Sequence, residues 1–149
     1  MTLRFVLPGA PRTKKNHSTI VRMGGRGVPV LAPSEFYRAW FREALSHAPQ
    51  IRALLRQAGA ELPLTGPVAV EAHFYRENAV KGDLCGYLQA LGDWLQEPRF
   101  KPKRNGAGII RDDAQIESWD GSRRHIDRTA PRIEIVIQVL PGAQKTLAF

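Results

Sequence analysis

The sequence predicts an α+β fold: a mixed β-sheet packed with two or three helices in one domain spanning residues 1–149. Three observations predict it. Residues 68–75 and 132–140 alternate apolar and polar side chains, the period of half-buried strands. Residues 36–45 and 84–95 instead repeat apolar residues at helical spacing. These segments follow one another in irregular order, with no internal repeat and no linker long enough to divide the chain.

The elements follow in order. Residues 2–7 read as a strand, and Pro8, Gly9 and Pro11 turn residues 8–16 into a loop. Residues 20–23 and 28–31 flank Gly24-Gly25-Arg26-Gly27, the pattern of a basic hairpin with a glycine-rich turn. Ser34 is a suitable N-cap, with Glu35 in the first turn. Phe36, Tyr37, Trp40, Phe41 and Leu45 then form an aromatic stripe, which at this spacing is ordinarily core. Pro49 is expected to end or interrupt this helix, because proline removes an N–H and clashes with the preceding turn. Ile51, Leu54 and Leu55 would continue as a second short helix to Gly59.

Residues 62–67 connect to the strand at 68–75. There Val68, Val70, Ala72 and Phe74 share one face, and Ala69, Glu71, His73 and Tyr75 the other. A loop at 78–82 leads to Asp83, an N-cap candidate for the helix at 84–95. Leu84, Tyr87, Leu88, Leu91 and Leu95 mark its apolar side, while Cys85, Gln89 and Asp93 share another. Residues 98–108 read as a basic loop and residues 115–119 as a short strand. Asp120-Gly121 is a turn, and Ile133, Ile135, Ile137 and Val139 line one face of the last strand.

Charge is the first functional signal. Twenty-two Lys and Arg against 14 Asp and Glu give a net charge of +8, with a pI near 10.3. Residues 1–34 hold Arg4, Arg12, Lys14, Lys15, Arg22 and Arg26 and no acid. Arg99, Lys101, Lys103 and Arg104 form a second cluster, and Arg123, Arg124 and Arg128 a third. Such clusters suit a polyanion, because each neutralised phosphate releases counterions. A basic surface that serves only solubility is the other reading, and an RNA-binding or ribosome-associated protein would carry the same charge. Few aromatics lie near these clusters in the sequence, which favours contact with the backbone of duplex or branched DNA over base stacking.

Several chemistries are excluded. The single cysteine, Cys85, rules out an internal disulfide framework and a cysteine-based zinc site, and fits a cytoplasmic protein. The four histidines have no familiar ligand spacing. The N-terminal apolar stretch is too short for a signal peptide, and no apolar run suits a membrane helix. Carboxylates remain. Asp83 follows the strand at 68–75, and Asp112 and Asp113 precede the one at 115–119. Acids that converge at a common rim can hold Mg²⁺, which polarises a phosphate and lowers the pKa of an attacking water. As plain structure, Asp83 is an adequate helix cap and Asp112-Asp113 an adequate turn.

The segment Lys81-Gly82-Asp83-Leu84-Cys85-Gly86-Tyr87-Leu88-Gln89-Ala90-Leu91-Gly92-Asp93-Trp94-Leu95, followed by Asp112-Asp113-Ala114-Gln115-Ile116, resembles the RusA-type Holliday-junction resolvases. That family reads Asp-x-Asp-Asn-x-x-Lys, an Asp-x-Leu on the same helix, and later Asp-Asp-x-Gln-Val or -Ile at a strand start. Leu7-Pro8-Gly9-Ala10-Pro11, Lys14-Lys15-Asn16, the basic hairpin and the helix near Tyr37 follow in the family's order, so the similarity spans most of the chain. It implies a homodimeric endonuclease of phage or prophage type that resolves four-way DNA junctions in recombination and repair. Mg²⁺, or Mn²⁺ in its place, would support paired incisions leaving 5′-phosphate ends.

By position, the resemblance implies Asp83 as the first metal-binding aspartate and Asp113 as the last. Asp112 stands beside the latter, and Asp93 matches the helix aspartate. Lys14, Lys15, Asn16, Arg22, Arg26, Lys101, Lys103 and Arg104 are the expected DNA contacts. Three motif positions are altered: Cys85 replaces the second aspartate, Gly86 the asparagine and Gln89 the lysine. A thiol is a poor ligand for Mg²⁺, and losing the lysine removes a positive charge from the phosphate. Either Asp112 or Glu71 compensates, or the chain binds DNA without cutting it.

Overall fold

The computed structural model describes residues 1–14, 19–23, 27–32, 34–79 and 82–142. In chain order the elements are β1 (Thr2–Pro8), β2 (Thr19–Met23), β3 (Val28–Ala32), α1 (Glu35–Gln57), β4 (Val68–Arg76) and α2 (Leu84–Leu95). Then follow β5 (Arg99–Phe100), β6 (Lys103–Arg104), a 3-10 turn (Asp113–Gln115), β7 (Ile116–Ser118), β8 (Arg123–Ile126) and β9 (Arg132–Val139). The fold is the α+β class that the sequence pattern indicates.

Alternation builds the sheet. β1, β4 and β9 bury every second residue on one face: Leu3, Phe5 and Leu7; Val68, Val70, Ala72 and Phe74; Ile133, Ile135 and Ile137. β9 lies between β1 and β4 and is antiparallel to both, while β7 and β8 run parallel to β4. The two helices cover the apolar face, and one cluster joins Trp40, Leu55, Leu91 and Trp94 to the strand residues. Fully burying each large apolar side chain contributes about 1.5–3 kcal/mol. Phe5 meets Trp94 at a ring separation of 6.3 Å, and Phe74 stacks on Tyr87 at 5.3 Å. β2 and β3 pair as the expected hairpin, with Met23 opposite Val28.

Three expectations need correction, and one strand was not anticipated. Pro49 does not end the first helix, which runs unbroken for 23 residues. Its ring is on the exposed side, so the stripe Trp40, Ala44, Ala48, Ile51 and Leu55 stays in register and buries throughout. Burial of Ile51 and Leu55 offsets a helix-interior proline that costs ~3 kcal/mol. The basic segment at 98–108 is not a plain loop, because Arg99 pairs with Arg104 and Phe100 with Lys103. Gln115 belongs to the 3-10 turn and not to the strand, which starts at Ile116. Finally, β8, with the sequence Arg-Arg-His-Ile, has no apolar alternation to announce it and forms by pairing with β4.

α2 is anchored at its C-terminal end by the segment that follows the β5–β6 hairpin. Ala107 N–H donates to Trp94 O at 2.7 Å, Gly108 N–H to Gln96 O at 2.9 Å and Ile109 N–H to Leu95 O at 2.9 Å. These bonds satisfy carbonyls that a helix end leaves without partners. Leu64 N–H then donates to Ile109 O, and Arg111 N–H to Leu64 O. This ladder fixes where Asp112 and Asp113 emerge.

Candidate functional site

Asp83 is the N-cap of α2, its carboxylate accepting from Gly86 N–H at 2.7 Å. Gly86 is buried against Thr13. A Cβ built at Gly86 would lie 2.6 Å from Asp83 Oδ1 and 3.0 Å from Thr13 Cβ. A side chain at the position where the RusA pattern carries asparagine would therefore make Asp83 or Thr13 give way. Cys85 and Gln89 are exposed on the same helix.

Asp113 approaches α2 further along. Its Cβ lies 3.8 Å from where a Cβ of Gly92 would stand. Cys85, Gln89, Gly92, Asp113 and Trp119 all line one cavity of about 300 Å³. The turn that presents Asp113 is held by side chains. Asp112 Oδ1 accepts from Ala114 N–H at 3.1 Å, and Asp112 N–H donates to Gln115 Oε1 at 2.8 Å. Gln115 Nε2 donates to Leu64 O at 2.9 Å and to Gly66 O at 2.7 Å. The motif glutamine is thus a strut.

Charge around Asp113 is crowded. Asp112 Oδ2 meets Arg99 at 3.0 Å and Arg104 at 3.4 Å. The Ala114 N–H first, and then the Arg104 guanidinium, hold the Asp112 carboxyl below the usual range. Asp113 shifts upward, because burial and then the neighbouring charges of Asp112 and Asp93 oppose its ionisation. Asp93 is itself paired with Lys14 Nζ at 3.0 Å.

The structure brings Asp113 close to Asp93 and Asp112, while Asp83 caps the opposite end of α2. Position 83 precedes Gly92 by nine residues, about 13 Å along the helix axis at the usual rise. Ligands sharing one Mg²⁺ need oxygens about 2.1 Å from the ion. Parallel pairing explains the gap. β7 pairs with Val68 and Ala69 at the start of β4, whereas Asp83 follows its end. Among the described residues, no three His, Cys, Asp or Glu side chains are grouped to hold a metal ion. With Cys85 in place of an acid and with Asp93 and Asp112 already ion-paired, the donors present do not fit a complete Mg²⁺ centre. Glu71 does not fill the vacancy, because strand alternation turns it to the open face of the sheet. There it accepts from His73 Nε2 at 2.7 Å, while His73 Nδ1 meets His125 Nε2 at 2.8 Å.

Of the expected DNA contacts, Lys101 and Lys103 are exposed on the β5–β6 hairpin. Lys14 is tied to Asp93, and Arg104 to Asp112 and the carbonyls of Glu97 and Arg111. Arg22 lies on β2, but its side chain, like Lys15, Asn16 and Arg26, lies outside the described residues. Sequence reasoning passed over Arg38 and Arg42, which the fold sets beside Lys14, Lys103 and Arg104. Their spacing of four on one helix was the signal.

No model of a known protein family matches this chain, and none of the curated proteins matches it. No helix among the described residues is long and apolar enough to cross a membrane.

Proposed function

We propose that this protein is a cytoplasmic, RusA-type protein of phage or prophage character that binds four-way DNA junctions in recombination and repair, as a homodimer. Any phosphodiester cleavage would be centred on Asp113. One observation carries the reading: motif positions 85 and 89 share a cavity with Asp113, 24 residues or more away in sequence, beside a hairpin rich in Lys and Arg. A fold that merely used Asp112-Asp113 as a turn has no reason to seat Asp113 against that helix.

Two versions differ at the phosphodiester. In the first, incision depends on Asp113 with Asp112 beside it, and Mg²⁺ would be held there only with oxygens supplied by the DNA itself; burial and then the crowding of Asp112 and Asp93, which raise the Asp113 pKa, support this version. In the second, the protein binds without cutting. This version is favoured by the altered positions Cys85, Gly86 and Gln89 and by the ion pairs that occupy Asp93 and Asp112.

A labelled four-way junction titrated with protein at low salt, across Mg²⁺ and Mn²⁺ series, separates them. Cutting that Asp113→Asn abolishes while binding persists supports the endonuclease. Tight, salt-sensitive binding without cutting supports the second version. Failure to bind the junction at low salt overturns both.

A further inference from the structure

We propose that the β5–β6 hairpin and the face of α1 beside it form a subsite for one unpaired nucleotide of a DNA strand, a reading that rests on the DNA-binding function above. A cavity of about 560 Å³ lies between them, within the range of about 300–1,000 Å³ typical of small-ligand sites. Tyr37 and Phe41 supply its aromatic wall. Arg38 and Arg42 from α1 and Lys103 from the hairpin line the same space, and among the described residues none of the three pairs with a carboxylate. Lys14 and Arg104 also line it, but they are engaged by Asp93 at 3.0 Å and Asp112 at 3.4 Å. The cavity therefore offers three uncommitted cations for the phosphates of a nucleotide and, contrary to the expectation from the few aromatics near the basic clusters in the sequence, an apolar ring surface for its base. Asp93 lines the cavity too, paired with Lys14, and Tyr37 keeps its proton, because burial and then the charge of Asp93 raise its pKa, so it adds no second negative charge.

A second observation stands on the hairpin. Phe100 is 97% exposed, and it sits between Arg99 and Lys101 opposite Lys103. An aromatic ring left in water among cations is poorly explained by folding. Proteins that open base steps insert such apolar wedges, and the displaced base needs a place to go. Phe100 fills the gap in the stack, and the adjoining cavity receives the base that leaves it.

The test uses the full chain, with a short single strand and a four-way junction each carrying one 2-aminopurine, and a paired duplex for comparison. Binding is expected to quench 2-aminopurine in the single strand and at the junction crossover, but not within the duplex. Arg38→Ala with Arg42→Ala should lower the slope of log affinity against log salt for the single strand by about 1.4, for two lost phosphate contacts. Phe41→Leu and Phe100→Ala should each weaken that binding about tenfold. Phe100 touches no core, so its variant must melt like the wild type. The subsite is overturned if emission is unchanged, if these variants bind as the wild type does, or if inorganic phosphate at matched ionic strength displaces the strand as well as free strand does. Junction binding with no single-strand response overturns the subsite alone. A single-strand response without junction binding overturns the junction reading and leaves the subsite standing.

Discussion

Gln115→Ala tests whether the turn that presents Asp113 is held by the Gln115 amide. That amide makes three bonds: to the carbonyls of Leu64 at 2.9 Å and Gly66 at 2.7 Å, and from the N–H of Asp112 at 2.8 Å. Each such bond contributes about 0.5–1.5 kcal/mol net, and partly buried partners left unpaired add to the cost. Truncation should therefore remove about 2–4 kcal/mol. For a chain of this size that lowers the melting temperature by roughly 4–16 °C. Urea unfolding followed by circular dichroism reads the free energy directly, with an unchanged slope expected because the exposed surface is the same. Gln115→Glu is the sharper companion. It keeps an acceptor for Asp112 N–H but aims a carboxylate at two carbonyl oxygens, so it should be at least as unstable as the alanine variant. A loss under about 1 kcal/mol for Gln115→Ala, or a glutamate variant as stable as the wild type, refutes the strut and leaves the turn explained by Asp112 capping alone.

Gly86→Ala should cost about 1–3 kcal/mol, since its Cβ meets both Asp83 Oδ1 and Thr13; Cys85→Asp with Gln89→Lys, both exposed, should change stability by about 0.5 kcal/mol or less, as paired denaturation curves will show. Asp113→Asn should raise stability near neutral pH. The folded pKa lies above the usual 3.8, so the carboxyl favours folding only while protonated, and that contribution is lost as pH rises through the folded pKa; the gain of the asparagine variant should vanish in acid unfolding. His125 shifts the other way, below 6.5, through burial first and then the charges of His73 and Arg123. Its neutral form favours folding, so stability should be full above pH 6.5 and fall as the pH drops below it, and His125→Gln should flatten that part of the stability–pH curve.

Legibility followed burial. The strands at 2–7, 68–75 and 132–140 and the helix at 84–95 were readable because one face of each is apolar and buried, and periodicity reports little else. Ser34 and Asp83 were readable as caps because a short polar side chain before an apolar run has a local use. β8 escaped because its residues pair as an exposed strand with no buried face of their own. Pro49 misled because local propensity lost to the packing of Ile51 and Leu55. At the site, the adjacency of Asp112 and Asp113 was visible, and so was the side of α2 shared by Cys85, Gln89 and Asp93. The distance from Asp83 to Asp113 was not, because it depends on which end of β4 accepts β7. Glu71 failed on a different ground, since its face of the sheet is opposite the one α2 covers.

Sorting the charges by partner separates structure from recognition more sharply than counting them. Asp93, Asp112 and Asp113 gather where α2 meets the 3-10 turn, and Lys14, Arg99 and Arg104 stand against them. Three acids facing three cations leave that region close to neutral. Those cations keep like charges together and offer little to a polyanion, because a phosphate that took one would strip a partner from an acid already crowded. Under the proposed DNA-binding function the attraction comes from cations with no such obligation. Among the described residues those around the cavity are Arg38, Arg42 and Lys103, with Lys101 exposed beside them. Neutralising these should reduce the salt dependence of DNA binding. Removing Lys14 or Arg99 should first be felt as lost stability, with Asp93 or Asp112 left short of a partner.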